Sequence, residues 1–475
     1  MRSSLHAYLY GLDRNQPRSP NVSHQATEHR DYTQGPLNKA IIALAIPMIL
    51  EMSMESIFAV VDVFFVGKLG AEAVATVGLT ESLLILVYTV AMGLSIGAAA
   101  VTSRRIGEGD ADGAAVSTVQ SLMLGAGLAV LIGVFGVIFA ADLLKLMGAT
   151  AAVIDHGTLY CKIMLGSNIA VLLLFLANAA FRGAGDAWIA MRSLWIANAI
   201  NLILCPLLVN GWEGWVPSLG VTGAAIATSS ARAAGALYVL LKMVRGGGRL
   251  HVKARHFHPA PAIMLAIARL SAAGTFQMFI GMASWIGLVR VMSSFGSNAL
   301  AGYTIGIRLL VFALLPAYGL GNAAATMVGQ SLGAKDPERA ERAVWMSGYY
   351  GAIFLGVIGL IFFFWAENLA GFFSKDPEVL SFAVPCLRVI ACGYPFYAYG
   401  MIVTQALNGA GDTWTPTWLN LGVFWAFEIP LAYILAVTCG AGPRGVFYAV
   451  ATSFTLMALV SIAIFRRGTW KLQVV

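Results

Sequence analysis

Three carboxylates interrupt one strongly apolar stretch: Glu51, Glu55 and Asp62. On a helix turning 100° per residue, Glu55 falls about 40° from Glu51 and Asp62 about 20° from it, over about 16 Å of rise. All three therefore share one face. Ionisable groups in an apolar span are costly and usually serve a function, so that face is expected to look at partners or a polar path rather than at lipid. The chemistry open to it is cation capture: a single buried carboxyl can carry a proton, and a set of oxygen ligands can hold Na⁺. A second polar face comes from Asn198, Asn201 and Cys205, spaced i, i+3 and i+7. Glu428 is a further deep carboxylate, close before Pro430; it either binds a cationic substrate or pairs with Arg308 or another base. Gln277, Met278, Met282 and Tyr318 belong to a C-terminal half that also holds Trp285, Tyr394, Phe396, Tyr397 and Tyr399. Such surfaces suit flat lipophilic cations, and they serve equally for helix packing.

The elements that carry these residues are membrane helices. The chain is 59% hydrophobic and 11% charged, against about 25% charged for a soluble domain. A water-soluble protein could not hide that much apolar surface. Runs of about 20 residues or more recur throughout, long enough to cross a bilayer as helices and too long for barrel strands. Twelve spans are expected, at 38–66, 74–104, 114–140, 153–179, 188–210, 219–243, 263–293, 299–331, 341–365, 379–406, 414–438 and 445–466. The organisation is then a tail over 1–36, a six-helix lobe over 37–243, a linker over 244–262, a second six-helix lobe over 263–466 and a short tail over 467–475.

The two lobes are copies. Phe181-Arg182-Gly183-Ala184-Gly185-Asp186-Ala187-Trp188 returns 226 residues later as Leu407-Asn408-Gly409-Ala410-Gly411-Asp412-Thr413-Trp414. The same offset joins Gly70 to Gly296, Gly93 to Gly319, Gly107 to Gly333 and Asp110 to Asp336. Duplicated units are the usual architecture of secondary transporters. An even number of spans per unit gives both the same orientation, related by a pseudo-twofold axis along the membrane normal. The two Gly-Ala-Gly-Asp segments read as tight turns, with Asp186 and Asp412 where helix N-caps belong.

Of the 30 Lys and Arg residues, 20 fall in the tail and the alternate loops on its side, which places both termini in the cytoplasm and makes a cell membrane the location. That asymmetry accounts for the basic pI without a nucleic-acid partner. Residues 1–36 are polar and read as a disordered cytosolic tail. The five cysteines show no metal-ligand spacing and read as small buried residues. His251, His256 and His258 read as solvated loop surface. Arg232, Arg269 and Arg290 stand near span ends, where snorkelling is the simple reading. Pro47, Pro206, Pro316, Pro385, Pro395 and Pro430 can kink their spans, as packing features or as hinges. No phosphate-binding G-x-x-x-x-G-K-[ST], H-E-x-x-H or G-x-S-x-G pattern occurs, so ATP drive and hydrolase chemistry lack support.

Val61-Asp62-Val63-Phe64-Phe65-Val66-Gly67 with Leu69-Gly70-Ala71-Glu72-Ala73, then Gly329-Gln330-Ser331-Leu332-Gly333-Ala334-Lys335-Asp336, and the two Gly-Ala-Gly-Asp segments resemble the multidrug and toxic compound extrusion (MATE) family over about 37–466. The resemblance implies two six-helix lobes around a central cleft, in an all-α membrane protein. It further implies cation coupling by an Asp of the first span with an Asn and a second Asp of the fifth and a Thr of the sixth. Asp62, Asn201 and Thr228 match three of these. Cys205 replaces the second Asp, and a thiol is a poor ligand for a hard cation. The resemblance also implies acids in the seventh and tenth spans; Gln277 stands in the seventh and no acid falls between Glu378 and Asp412, so that second site is expected to be absent. The expectation is therefore a monomeric, H⁺-coupled antiporter, with Na⁺ at Asp62, Asn201 and Thr228 as the alternative ion. Amphipathic, often cationic compounds are the expected cargo, the lipid bilayer the surroundings, and no cofactor is needed beyond the coupling ion. The wider superfamily's lipid-linked-oligosaccharide flippases are the second reading; they would need a basic cleft.

Overall fold

In the computed structural model of the chain, residues 31–212, 215 and 217–473 are described; at residues 58–64, 68 and 71 the description covers the backbone alone. The Asp62 carboxyl and the tail over 1–30 lie outside the described residues.

Twelve apolar elements follow the sequence: α1 Leu37–Val66, α2 Ala71–Gly107, α3 Ala111–Leu146, α4 Ala151–Ala184, α5 Ala187–Asn210, α6 Gly220–Arg245, α7 Pro261–Ser293, α8 Ser297–Gly333, α9 Pro337–Phe364, α10 made of Pro377–Cys392 and Tyr394–Ala410, α11 Trp414–Thr438 and α12 Pro443–Arg466. The fold is the expected all-α, two-lobed membrane architecture. Outward faces are apolar: Leu131, Val134, Phe135 and Ile138 form an exposed stripe on α3. Its opposite face is small and buried, with Gly125, Ala129, Gly133, Gly136 and Ala140 letting neighbouring helices come close.

Several helices are irregular, for local reasons. Pro395 has no N–H to offer Ala391 and its ring crowds that carbonyl, so α10 stops at Gly393 and restarts, bent by 57°. Gly393 is the repeat partner of Ser167, where α4 also breaks between Gly166 and Asn168. In α11, Leu421–Glu428 and Ile434–Thr438 wind as π-helix on either side of Pro430. A proline's missing donor allows such a change of hydrogen-bond register.

The pseudo-twofold relation appears directly in the packing. A Cβ on Gly93 of α2 would collide with the backbone of Thr275 in α7, and a Cβ on Gly319 of α8 with that of Ile49 in α1. The offset of 226 carries Gly93 to Gly319 and Ile49 to Thr275, so these are two copies of one contact. Near the termini the same reciprocity returns. Gly107 abuts the Gln330 backbone and Gly333 abuts that of Arg104, again exchanged by the repeat.

The Gly-Ala-Gly-Asp segments belong to this end of the molecule. Their first glycines, Gly183 and Gly409, let α4 press on Ala99 and α10 on Ala325. Their second glycines, Gly185 and Gly411, take φ 91°, the left-handed turn that ends a helix. The carbonyls freed there are claimed by the opposite half: Gln330 Nε2 donates to Gly183 O at 2.8 Å, and its repeat partner Arg104 donates to Ala410 O at 3.4 Å. Thr326 Oγ1 donates to Arg182 O at 3.1 Å. The aspartates differ. Asp412 caps its helix, accepting from Thr415 N and Oγ1. Asp186 makes no side-chain cap and instead accepts Arg249 N at 2.5 Å, which ties the linker to the N-terminal half.

Both chain ends fasten the same face. Tyr32, assigned to the tail by composition, is buried, and its hydroxyl donates to Gly185 O at 3.3 Å. Arg339 donates to the carbonyls of Tyr32, Gln34 and Gly35. Arg104 also donates to Gln473 O at 2.7 Å. In the linker, His256 departs from the solvated reading: it is buried, with Nε2 3.3 Å from Asp112 Oδ1. Among the cysteines, Cys161, Cys205 and Cys386 are buried as expected, whereas Cys392 and Cys439 are exposed.

Candidate transport cavity

Between the halves lies a cavity of about 300 Å³. Its N-terminal wall comes from α1, α2, α4 and α5, its C-terminal wall from α7, α8, α10, α11 and α12. The hydrogen bonds that join the halves, among the described residues, lie on the side of the termini, so the cavity is sealed there by the Gln330–Gly183 and Arg104–Ala410 clasp.

Glu51 and Glu55 both reach this cavity, and each meets an arginine. Arg182 Nη1 stands 2.5 Å from Glu51 Oε1, and Arg232 Nη2 3.0 Å from Glu55 Oε1. The Arg232 guanidinium also lies over the Tyr88 ring, 5.4 Å from its centroid. This corrects the snorkelling reading of Arg232, which is buried at the centre of the N-terminal half; Arg269 and Arg290 are exposed. Arg182, which the sequence places in a loop, is the last basic residue of α4 and points inward. A guanidinium buried beside a carboxylate is held there by charge and geometry together.

Asn198, Asn201, Cys205 and Thr228 lie elsewhere. All four are buried where α5 packs on α6 and α1, and none lines the cavity. The Asn198 amide donates to Leu194 O at 2.9 Å, within its own helix. Five residues singled out in the C-terminal half, Gln277, Met278, Met282, Tyr318 and Glu428, do line the cavity, together with Trp285 and Tyr397. Tyr399 points away, its hydroxyl donating to Trp345 O.

Glu428 is buried, yet it makes no ion pair or hydrogen bond among the described residues. The alternative of a pair with Arg308 is therefore overturned; Arg308 is exposed. Among the described residues, the charged lining of the cavity is Glu51, Glu55 and Glu428 against Arg182 alone, and no basic cluster forms.

The MatE family model matches residues 47–207 and matches again at 273–434, the second stretch following the first at the offset of the repeat. The chain belongs to the MatE family. It is similar along nearly its whole length to the probable multidrug resistance protein YoeA of Bacillus subtilis, 24% identical over 430 residues that cover 90% of this chain and 92% of that protein. The probable multidrug resistance protein NorM of Thermotoga maritima is 24% identical over 450 residues, 92% of this chain and 94% of its own. A solved structure described as the outward-facing conformation of a multidrug resistance MATE family transporter superposes with a TM-score of 0.88, covering 95% of this chain and all of that one at 23% identity.

In this MATE chain the repeat shows where the halves diverge. Glu51 and Arg182 correspond to Gln277 and Asn408, so a charged pair on one wall faces two amides on the other. Glu55 corresponds to Gly281 and Glu428 to Leu202. The arginine partners were missed from sequence because a helix's periodicity fixes which face a residue occupies, not which neighbour meets it. The signal that could have found Arg182 is the repeat: its partner Asn408 is polar, and both precede Gly-Ala-Gly-Asp.

Proposed function

We propose that this chain is a cation-coupled antiporter of the cell membrane, with both termini cytoplasmic, that exports amphipathic cations by alternating access. H⁺ is the favoured ion. The observation that carries the reading is the cavity at the seam between the halves, which joins aromatic and Met surfaces to an excess of carboxylates. Gln277, Met278, Met282, Tyr318 and Glu428 would receive the cargo. Asp62, with Asn198, Asn201, Cys205 and Thr228 on the neighbouring helices, would receive the coupling ion. Glu51 and Glu55 stand between the two, already matched by arginines. One carboxylate, with a thiol in place of the family's second Asp, suits a proton better than Na⁺, which needs several oxygens.

The test is efflux of an ethidium-like dye from proteoliposomes under separately imposed H⁺ and Na⁺ gradients. A pH gradient should drive efflux and a Na⁺ gradient should not. Asp62→Asn should abolish driven efflux while leaving expression and thermal stability in place. Undiminished efflux by that variant would remove Asp62 from the mechanism, and Na⁺-driven efflux would reverse the choice of ion.

A further inference from the structure

We infer that Glu428 is a second proton site, in the C-terminal half, at which a proton and a cationic substrate replace one another directly. The inference rests on the central cavity being the transport site and deepens that reading.

Position supports it first. Glu428 is 3% exposed and the little it exposes opens on the cavity. The other two carboxylates of the cavity each have a guanidinium within 3.0 Å. Glu428 has none. An ionised carboxylate cannot stay buried without a counter-charge. Two species can supply one here: a proton on the carboxyl, or a cation in the cavity. They exclude each other, because once the cation is seated the carboxylate is matched and the proton has no further role.

The surroundings agree. Of the helices packed on this part of α11, α7 and α12 contribute Gln277, Trp285, Val450 and Phe454 to the cavity lining, none of which carries charge. The titratable groups near enough to feel Glu428 are the phenols of Tyr303 in α8 and Tyr397 in α10, which share the cavity with it. Neither is a counter-cation. Aromatic rings and one unmatched carboxylate in the same cavity suit a lipophilic cation rather than a hydrated metal ion. Glu428 also closes a π-helical turn, an irregularity frequent at functional positions in helices.

The exchange balances in charge. In the alternative state, open to the tail side, a monovalent cation that enters displaces the Glu428 proton to that side; in the state sealed there, a proton arriving from the opposite side takes the carboxylate and the cation leaves to that side. Net charge at the site is the same in both states, so this step is electroneutral.

Binding of tetraphenylphosphonium to the purified full chain tests the inference, by titration calorimetry in buffers of different ionisation heat from pH 6 to 8. The wild type should release close to one proton per bound cation, with affinity rising by up to about tenfold per pH unit. Glu428→Gln should bind more weakly, with flat pH dependence and no proton release. Glu428→Asp should restore proton release at reduced affinity, which a merely structural role would not do. Unchanged proton release by Glu428→Gln overturns the inference and leaves the antiporter reading standing. If the wild type binds no tetraphenylphosphonium, both fail.

Discussion

Glu51→Gln is expected to cost about 3–5 kcal/mol of stability, the usual consequence of stripping one partner from a buried ion pair. The glutamate is 1% exposed, and the Arg182 side chain that faces it is 10% exposed. Arg182 cannot withdraw to water, because it sits in the last turns of α4 immediately before Gly183, which presses α4 on α2. Thermal unfolding in detergent should show the loss as a large fall in melting temperature. The double change Glu51→Gln with Arg182→Gln should recover most of it, since it reproduces the neutral amide character of Gln277 and Asn408 at the equivalent place. A single Glu51→Gln variant as stable as the wild type would mean that the guanidinium has another partner.

Gly333→Val is the second large effect, and it acts on conformation. A side chain there meets the Arg104 carbonyl and the Gly107 backbone, neither of which can yield without parting the halves. Overpacking of that kind costs about 1–3 kcal/mol, enough to reduce the state sealed at the termini about 5- to 150-fold relative to its alternative. In a cysteine-free background, a cysteine at Met282 should become reactive from the tail side and driven efflux should fall. Gly107→Val should do the same from the other half. Retention of efflux and of tail-side protection in both would show that the seam at Gly107 and Gly333 does not form the seal.

The spans were legible because lipid demands long apolar runs, and observed helix limits such as Ala187–Asn210 and Pro443–Arg466 lie close to the hydropathy boundaries. The breaks at Ser167 and Gly393 were not, since one residue that interrupts hydrogen bonding leaves hydropathy unchanged. The shared face of Glu51 and Glu55 followed from helical geometry alone. Their arginine partners did not, because Arg182 and Arg232 come from other helices and end-of-span arginines usually reach for water. The Gly-Ala-Gly-Asp repeats were visible as duplicated turns. Their part in joining the halves depends on Arg104 and Gln330, which come from α2 and α8 and share only the offset of 226.

The reciprocal seam has the form of an isologous dimer interface, in which each partner offers the surface it receives. The linker makes that encounter intramolecular, so the interface is formed at high effective concentration. A true dimer of identical halves would place every cavity carboxylate twice, and like charges would face one another across the axis. Covalent joining lifts that restriction. It permits one wall to carry Glu51 with Arg182 while the other carries amides, and it permits Glu428 to stand once. The tether is what allows a symmetric scaffold to hold such inequality.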